Sequence, residues 1–248
     1  MEQPITGFRL DDAGDWVAVL ACGHGQHVRH DPPLTFRAWV LTPAGRDAKI
    51  GWMLNCVRCD RGEAPTEDKM DSIETITTDR LIAERFRPEH YDLLCQIHQN
   101  PAVMATLGGV RSDETTRQNL QEYVTHWETH GFGLWLLRDR ASRALAGRAG
   151  LKWIEVGGAM EIELGYTFLP EYWGRGLATE IAAASLDVGF GQLGLENLVC
   201  FTLTTNFASQ RVMEKVGFVF EREIVHKGEA TLLYRLTRDE YRQRHSII

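Results

Sequence analysis

A strand that leads through two glycines into a helix constrains this chain more than any other feature. In the stretch "MEIELGYTFLPEYWGRGLATEI", apolar and polar residues alternate from Met160 to Phe168, the period of a half-buried strand. Gly174 and Gly176 follow, and a helical pattern begins near Leu177. Glycine lets the backbone approach a ligand closely, and the first turn of a helix presents free N–H groups to an anion. The junction places a helix directly after a strand, and it indicates either a phosphate-binding loop or a plain turn that needs glycine for its own geometry.

Two segments of different composition make up the 248 residues. Residues 1–62 are rich in Gly, Pro, Cys, His and Trp, and the runs "DWVAVLAC" and "FRAWVLT" predict short strands there. Residues 63–72 carry several acids and a proline, a composition typical of a solvated linker. From residue 73 onward, longer helices alternate with strands. The sequence therefore predicts a small β-rich module at 1–62, a linker at 63–72 and a larger domain at 73–248.

The elements of the larger domain are predicted from periodicity and turn residues. Ser112 stands in the cap position of one helix, and Gly217 ends another. Helices are predicted around "PEHYDLLCQIHQN" and over "SDETTRQNLQEYVTHWETH", "GLATEIAAASLDVGFGQ" and "ASQRVMEKV". Strands are predicted over "ETITTDRLIAERF", "GFGLWLLRD", "ALAGRAGLKWI", "MEIELGYTFL", "ENLVCFTL", "FVFEREIVH" and "ATLLYRLT".

Composition narrows the classes of protein. A net charge of -7 argues against general affinity for nucleic acid, because binding phosphates requires a basic surface. No apolar run is long enough to cross a bilayer, and the first ten residues lack the pattern of a secretory signal. We therefore expect a cytoplasmic protein that does not bind membranes. Its five cysteines are then held reduced, which favours metal binding over disulfides for a close pair.

Cysteine and histidine side chains cluster in the N-terminal module. Zinc prefers thiolate and imidazole in closed tetrahedral sites, and so small a module gains from a metal that links its parts. On a strand, Cys22 and His24 share a face and complete four ligands with a Cys-x-x-Cys pair, and His27 is the rival for the fourth place. The pattern predicts a structural zinc site, with a catalytic metal or a redox pair of thiols as alternatives. The candidate ligands are Cys22, His24, His27, Cys56 and Cys59, with His30 as a surface or outer residue.

The successive stretches "EIELGYTFLPEYWGRGLATE" and "TNFASQRVMEKVGF" resemble the GNAT superfamily of N-acetyltransferases, most closely its ribosomal-protein N-acetyltransferase-like branch, over residues 73–240. The resemblance implies an α/β (α+β) fold, with a mixed central sheet flanked by helices, and acetyl-CoA as co-substrate. A homodimer is a possible assembly for such a protein. Trp173 stands where many members carry Gln or Arg. The cofactor-binding positions carried over from the family are Tyr166, Phe168, Trp173, Gly174, Arg175, Gly176, Leu177, Ala178, Thr179 and Asn206. Residues 4–60 resemble a small uncharacterised bacterial domain that carries no known activity.

Acetyl transfer requires an uncharged amine, a donor for the oxyanion and stabilisation of the departing thiolate. Glu161 and Glu163 share one face of the predicted strand, where their mutual repulsion favours a base at one of them. The alternative is that they form the solvated side of a half-exposed strand. The resemblance favours Glu163 as the base or as the group that orients the amine. Strand N–H groups near Gly165 and Tyr166 are candidates to polarise the thioester carbonyl.

The proton donor is where this sequence departs from the superfamily. Many members carry a tyrosine at the position of Met213, whose thioether has no proton to donate. The branch named above is thought to use the residue matching Ser209 instead. Ser209 and Asn206 also suit the start of a helix, where they satisfy free N–H groups, so capping is the alternative role.

These residues together predict an acetyl-CoA-dependent N-acetyltransferase with Glu163, Ser209 and Glu161 as catalytic candidates. The acceptor is expected to be a small-molecule amine or the N-terminal amine of a protein. The alternative is a catalytically weak protein that binds or senses acyl-CoA and uses the zinc module to contact a partner.

Overall fold

The computed structural model describes residues 1–10, 16–27, 38–62, 73–156 and 158–245. The chain divides into two compact units, Met1–Asp71 and Ser72–Ile248. The predicted linker, residues 63–72, lies outside the described residues. Within the described ranges, every helix is too short or too polar to cross a membrane.

The first unit is built on a four-stranded antiparallel sheet in the order β3-β2-β1-β4. Its core contains Ile5, Ala18 and Leu20. The predicted β-rich character is confirmed, because "DWVAVLAC" contains a strand. The elements are β1 (Glu2–Leu10), β2 (Trp16–Leu20), β3 (Gly25–His27), a 3-10 turn (Ala38–Leu41), α1 (Pro43–Asp47), β4 (Met53–Asn55) and α2 (Val57–Asp60).

The predicted strand over "FRAWVLT" is wrong. Its described part is the 3-10 turn Ala38–Leu41, which places Val40 in the core. Thr42 accepts a hydrogen bond from the Gly45 amide at 3.1 Å, and Pro43 follows as the first helical residue of α1. A capping threonine and a proline at this position start a helix, so the backbone turns instead of extending.

The second unit contains an eight-stranded sheet in the order β11-β12-β10-β9-β8-β7-β6-β5. Neighbouring strands are antiparallel except β9 and β10, which are parallel, so the predicted mixed sheet is confirmed. The strands are β5 (Thr75–Thr77), β6 (Leu81–Arg85), β7 (Leu134–Asp139), β8 (Leu145–Val156), β9 (Ala159–Phe168), β10 (Asn197–Leu203), β11 (Val219–His226) and β12 (Glu229–Thr237).

The helices of this unit follow the predicted order with two additions, α4 and α8. Ser112 caps α5 by accepting from the Thr115 amide at 3.1 Å, and Gly217, with φ of 108°, ends α7. Both predictions are confirmed. The helices are α3 (Tyr91–His98), α4 (Pro101–Met104), α5 (Asp113–His130), α6 (Leu177–Leu186), which continues into a π-helical segment (Asp187–Gln192), α7 (Phe207–Val216) and α8 (Arg238–His245).

The single strand predicted over "ETITTDRLIAERF" is two strands, β5 and β6, that pair as a hairpin. The Thr78 hydroxyl accepts from the Leu81 amide at 3.1 Å and fixes the turn between them. A threonine hydroxyl that bonds to the local backbone in this way favours a turn over an extended strand. Arg80 in the same turn contacts the loop between β9 and α6.

Candidate functional site

The loop between β9 and α6 forms an open cradle of main-chain groups. Gly174 and Gly176 have φ angles of 72° and 76°, which residues with a Cβ rarely adopt. A Cβ at Gly174 would touch nothing within 4 Å, and one at Gly176 would touch only Arg80 at 3.7 Å. The first hydrogen bond of α6 runs from the Glu180 amide to the Gly176 carbonyl, so the amides of residues 177–179 point out of the helix end. Such amides fit an anion, for example a pyrophosphate.

One edge of β9 is open beside the cradle. Among the described residues, its pairing with β10 is confined to Glu163. On the opposite side, Leu169 donates to the Ala146 carbonyl at 2.9 Å, in the register of the β8–β9 pairs. Residues of an antiparallel strand alternately bond to the partner and point away from it. Tyr166 and Phe168 therefore present their main-chain groups away from β8. They face the space where β9 has separated from β10, which α7 borders on the other side; we call this space the gap.

Trp173 ties the loop to the end of β9. Its indole N–H donates to the Phe168 carbonyl at 2.7 Å, although the side chain is 52% exposed. Phe168 therefore has its amide, and not its carbonyl, available for a ligand in the gap. The Arg175 guanidinium lies 5.5 Å from the ring centre of Tyr172, a cation–π contact at the rim of the loop.

Contacts from Thr78 and Arg80, in the turn between β5 and β6, support the glycine loop. We call this set of contacts the brace; it was not predicted from the sequence. Arg80 forms an ion pair with Glu180 at 2.7 Å and donates to the Arg175 carbonyl at 2.7 Å. The hydroxyl of Thr78 also donates to Glu180. Burial opposes ionisation of Glu180, but these hydrogen bonds outweigh it and hold its pKa below the ordinary value. No local pattern marks the brace, because its partners are about a hundred positions apart in the chain.

The two glutamates of β9 are held in separate ion pairs. Glu161 accepts from Arg235 at 2.7 and 3.2 Å, and Arg235 also contacts Glu221 at 2.6 Å. Glu163 lies 3.4 Å from the Lys152 ammonium. The mutual repulsion suggested by their spacing is therefore replaced by two attractions. A Cβ at Gly165 would lie 3.5 Å from Glu163 Oε1, so this carboxylate extends along the strand over Gly165.

Across the gap, Asn206 caps α7, and the hydroxyl of Ser209 is left for another contact. The sequence had left both residues as candidates for the cap. The Asn206 side chain caps α7 by accepting from the Ser209 amide at 3.2 Å. The Ser209 hydroxyl instead lies 2.9 Å from the Tyr166 hydroxyl. Tyr166 also reaches the Ser209 carbonyl, at 3.1 Å. Met213 is 1% exposed and belongs to the core.

His226 is a further side chain near the gap that sequence reasoning did not single out. It ends β11, and its ring centre lies 4.7 Å from that of Phe201. Burial lowers the pKa of His226, helped by Lys227 and opposed by Glu163. Only the tertiary arrangement brings this histidine within electrostatic range of Glu163.

In the first unit, four ligand atoms converge, all within 4.8 Å of one another: those of Cys22, His24, Cys56 and Cys59. His24 Nδ1 lies 3.5, 3.4 and 3.4 Å from the sulfurs of Cys22, Cys56 and Cys59, and the Cys22 and Cys56 sulfurs are 3.7 Å apart. Ligands about 2.0 Å (N) and about 2.3 Å (S) from a tetrahedral zinc lie about 3.5 to 3.8 Å from one another. The spacing and the donor set therefore suit such a metal.

Local structure explains how these ligands meet. Cys22 and His24 lie in the turn between β2 and β3, and not on a strand as predicted, where Gly23 has φ of 82°. Cys56 caps α2, and its sulfur accepts from the Cys59 amide at 3.4 Å. Burial raises the pKa of the Cys56 thiol, but hydrogen bonds from its neighbours outweigh it and lower the value to about 7.

The positions of the other two candidate histidines relative to the cluster lie outside the described residues. His27 lies in β3, but its side chain is outside the part of the chain that the structure describes, and so is the whole of His30.

Comparison with known proteins finds a family model that matches residues of each unit. Residues 80–219 match the family model "Acetyltransferase (GNAT) domain", and residues 6–63 match a family described as a protein of unknown function, DUF3565. The N-acetyltransferase YoaA of Bacillus subtilis, labelled uncharacterized, is 26% identical over 145 residues, which cover 58% of this chain and 81% of YoaA.

Solved structures share the fold. Ribosomal-protein-S5-alanine acetyltransferase from Vibrio fischeri aligns with a TM-score of 0.58 at 17% identity, over 67% of this chain and 98% of that one. Spermidine N-acetyltransferase from Vibrio cholerae, solved with CoA and spermine, aligns with a TM-score of 0.54 at 18% identity, over 66% and 99%. The family model covers more than half of the chain, and the glycine cradle and the open edge of β9 lie within the matched residues; the chain belongs to the GNAT family of acetyltransferases.

Proposed function

We propose that this GNAT acetyltransferase moves an acetyl group from acetyl-CoA directly to a primary amine, of a small molecule or of a protein N-terminus. The observation that carries the proposal is the gap between β9 and α7. One wall offers unpaired strand amides next to the glycine cradle, and the other offers the Ser209 hydroxyl. A cofactor bound there has both its phosphates and its thioester in contact with suitable groups.

Acetyl-CoA binding is assigned to the cradle and the adjoining strand. The amides of residues 174–179 hold the pyrophosphate, and the Phe168 amide and the Tyr166 carbonyl bond the pantetheine arm. Asn206 contributes by fixing the start of α7 through its cap, at 3.2 Å from the Ser209 amide. Trp173 and Arg80 keep the loop in place, as their bonds at 2.7 Å to the Phe168 and Arg175 carbonyls indicate.

Glu163 is the group we assign to the amine. Its carboxylate extends over Gly165, beside the open edge of β9, so an amine bound to it lies close to the thioester. It accepts the proton that the amine loses, directly or through water. Glu161 is the weaker catalytic candidate, because Arg235 engages both of its oxygens.

The other two requirements are met by groups on facing walls of the gap. The Tyr166 amide donates to the carbonyl oxygen as it becomes an oxyanion. Ser209 donates to the sulfur as the C–S bond breaks. The amine nitrogen forms the new bond to the carbonyl carbon and loses one proton, and the sulfur gains one, so no covalent intermediate on the enzyme is required.

The charges around Glu163 bear on the acceptor. A sequence relative is named for spermidine, and a solved structure with the same fold is named for ribosomal protein S5 alanine. Here Glu161 and Glu163 are each paired with a cation, Arg235 and Lys152. A polyamine therefore meets little uncompensated negative charge on this face of β9, and we favour an acceptor with a single amine.

Turnover of acetyl-CoA against a panel of amines tests the function. The panel contains spermidine, small monoamines and short peptides with free N-termini, and release of free CoA is measured. The rival is a protein that binds acyl-CoA without turnover, which Met213 at the usual tyrosine position favours. Calorimetric binding of acetyl-CoA together with no CoA release from any amine would establish the rival.

We also propose that Cys22, His24, Cys56 and Cys59 hold one structural zinc ion. Three thiolates and one imidazole form a closed shell without a position for substrate, which supports a structural over a catalytic metal. The buried His24 and Cys56, at 1% and 2% exposure, support the same reading. Metal bound to the folded unit stabilises it, because the site does not exist in the unfolded chain.

A further inference from the structure

The phenol of Tyr166 occupies an unusual place in this site. Its hydroxyl lies 2.9 Å from Ser209 Oγ and 3.1 Å from the Ser209 carbonyl oxygen, so both contacts go to one residue of α7. Tyr166 stands on β9 three positions beyond Glu163, the last residue of β9 that pairs with β10. The ring therefore crosses the gap where the two strands have separated.

The contact with Tyr166 also limits the directions in which the Ser209 hydroxyl can point its proton. The Ser209 amide already bonds to Asn206, and the capping role of the serine hydroxyl is thereby filled. Ser209 Oγ has one proton and two lone pairs. The phenol has one proton, which donates to the Ser209 carbonyl oxygen at 3.1 Å and, shared in a bifurcated hydrogen bond, to Oγ at 2.9 Å. With Oγ accepting in this way, the serine proton is left to point into the gap that the cofactor enters.

We propose that Tyr166 is a positioning residue that orients the Ser209 hydroxyl toward the cofactor sulfur. The inference rests on the proposed function, because it assigns a partner to the group that contacts the leaving thiolate. It also bears on Met213, which has no proton to donate: the hydrogen-bond donor on this helix is Ser209, and the phenol that orients it comes from the facing strand. Met213 and Ser209 are four positions apart and lie on one face of α7.

The phenol does not itself give up a proton. Burial raises the pKa of Tyr166 far above its ordinary value, and the neighbouring Cys200 adds to the effect. The proton that the sulfur gains comes from the amine, by way of Glu163 and water. Ser209 donates a hydrogen bond to the sulfur during bond breaking, and Tyr166 holds the serine in the rotamer that does so.

Turnover in a double-mutant cycle tests the coupling. We expect Tyr166→Phe to lower kcat by about tenfold while KM for acetyl-CoA stays within about twofold. Ser209→Ala is expected to lower kcat at least as far, and adding Tyr166→Phe to it is expected to cost nothing further, because the phenol then has no serine to orient. Tyr234→Phe, which removes a hydroxyl from a buried ring on β12, is the matched control and is expected to leave kcat unchanged.

Binding tests the same inference without turnover. Calorimetry compares CoA with desulfo-CoA, which lacks the sulfur. The wild-type protein is expected to bind CoA several-fold more tightly, and both Tyr166→Phe and Ser209→Ala are expected to remove the difference. A preference for CoA that survives in Tyr166→Phe, or additive losses of kcat in the cycle, would overturn the inference. If the wild type acetylates no amine but shows the preference and loses it in both variants, the proposed function fails and the role of Tyr166 stands.

Discussion

Replacing Gly176 by valine separates the conformational role of the glycine loop from its role in binding. Gly176 has φ of 76°, where a residue with a Cβ costs about 1–3 kcal/mol. A Cβ there would touch only the Arg80 guanidinium, at 3.7 Å, so the loop has room for a side chain and the unit is expected to fold. The melting temperature is expected to fall by roughly 2–4 °C for each kcal/mol in a domain of this size.

The strain is present in the free and in the bound protein alike, so a loss of cofactor affinity needs a separate cause. A valine side chain keeps the pyrophosphate away from the amides at the start of α6, and we expect Kd for CoA to rise more than about tenfold, which is ~1.4 kcal/mol. Gly131→Val is the matched control: Gly131 has φ of 72° and nothing within 4 Å of its position for a Cβ, but it ends α5. It carries the same strain without touching the cradle.

Calorimetry with CoA and thermal denaturation of both variants give the two readings. Gly131→Val is expected to lose stability and keep its affinity for CoA, whereas Gly176→Val is expected to lose both. Equal affinity in the two variants would refute the assignment of the loop to the pyrophosphate. Zinc content serves as an internal check, because neither change lies in the N-terminal unit.

Three further changes probe the remaining assignments. Glu163→Gln is expected to lower kcat/KM near neutral pH, with the deficit shrinking as alkaline pH deprotonates the acceptor; a deficit independent of pH argues against a base. Glu180→Gln is expected to destabilise the protein by about 1–3 kcal/mol at pH 7. Because the folded pKa of Glu180 is depressed, its contribution is present above the unfolded value and is lost as pH falls through the folded value, so urea titrations of variant and wild type should converge in acid. Cys56→Ser is expected to abolish binding of about one zinc per chain by metal analysis, with Cys95→Ser as control; full zinc content in Cys56→Ser contradicts the site.

Local signals in the sequence were sufficient where one residue or one short period decides the conformation. Ser112 and Gly217 mark the ends of helices because a cap and a left-handed residue act on their immediate neighbours. The same short range explains two errors. In "FRAWVLT" the apolar run suggested a strand, but Thr42 and Pro43 begin a helix at once, and in "ETITTDRLIAERF" the Thr78 turn divides one predicted strand into two.

The candidate site was predictable as a set of residues and not as a set of contacts. Glu161 and Glu163 were expected to repel one another, yet each meets a cation from another strand of the sheet, Arg235 on β12 and Lys152 on β8. Ser209 was expected to cap a helix or to donate a proton, and the cap belongs to Asn206. Cys22 and His24 were expected on a strand, and a turn at Gly23 brings them together instead.

Periodicity and glycine placement, both readable from the sequence alone, determined most of the helices and strands and the glycine loop, because each depends on residue type and near neighbours. Ligand chemistry narrowed the candidate metal ligands to five residues, and the mixed sheet was implied by the resemblance to the family. The tertiary structure decided how far β9 and β10 stay paired, and so where the gap opens beyond Glu163. It also decided that Arg80 braces the loop and that Tyr166 meets Ser209. These pairings join residues 43 to 95 positions apart, and only the packing of strands and helices around one core brings such residues within hydrogen-bonding distance.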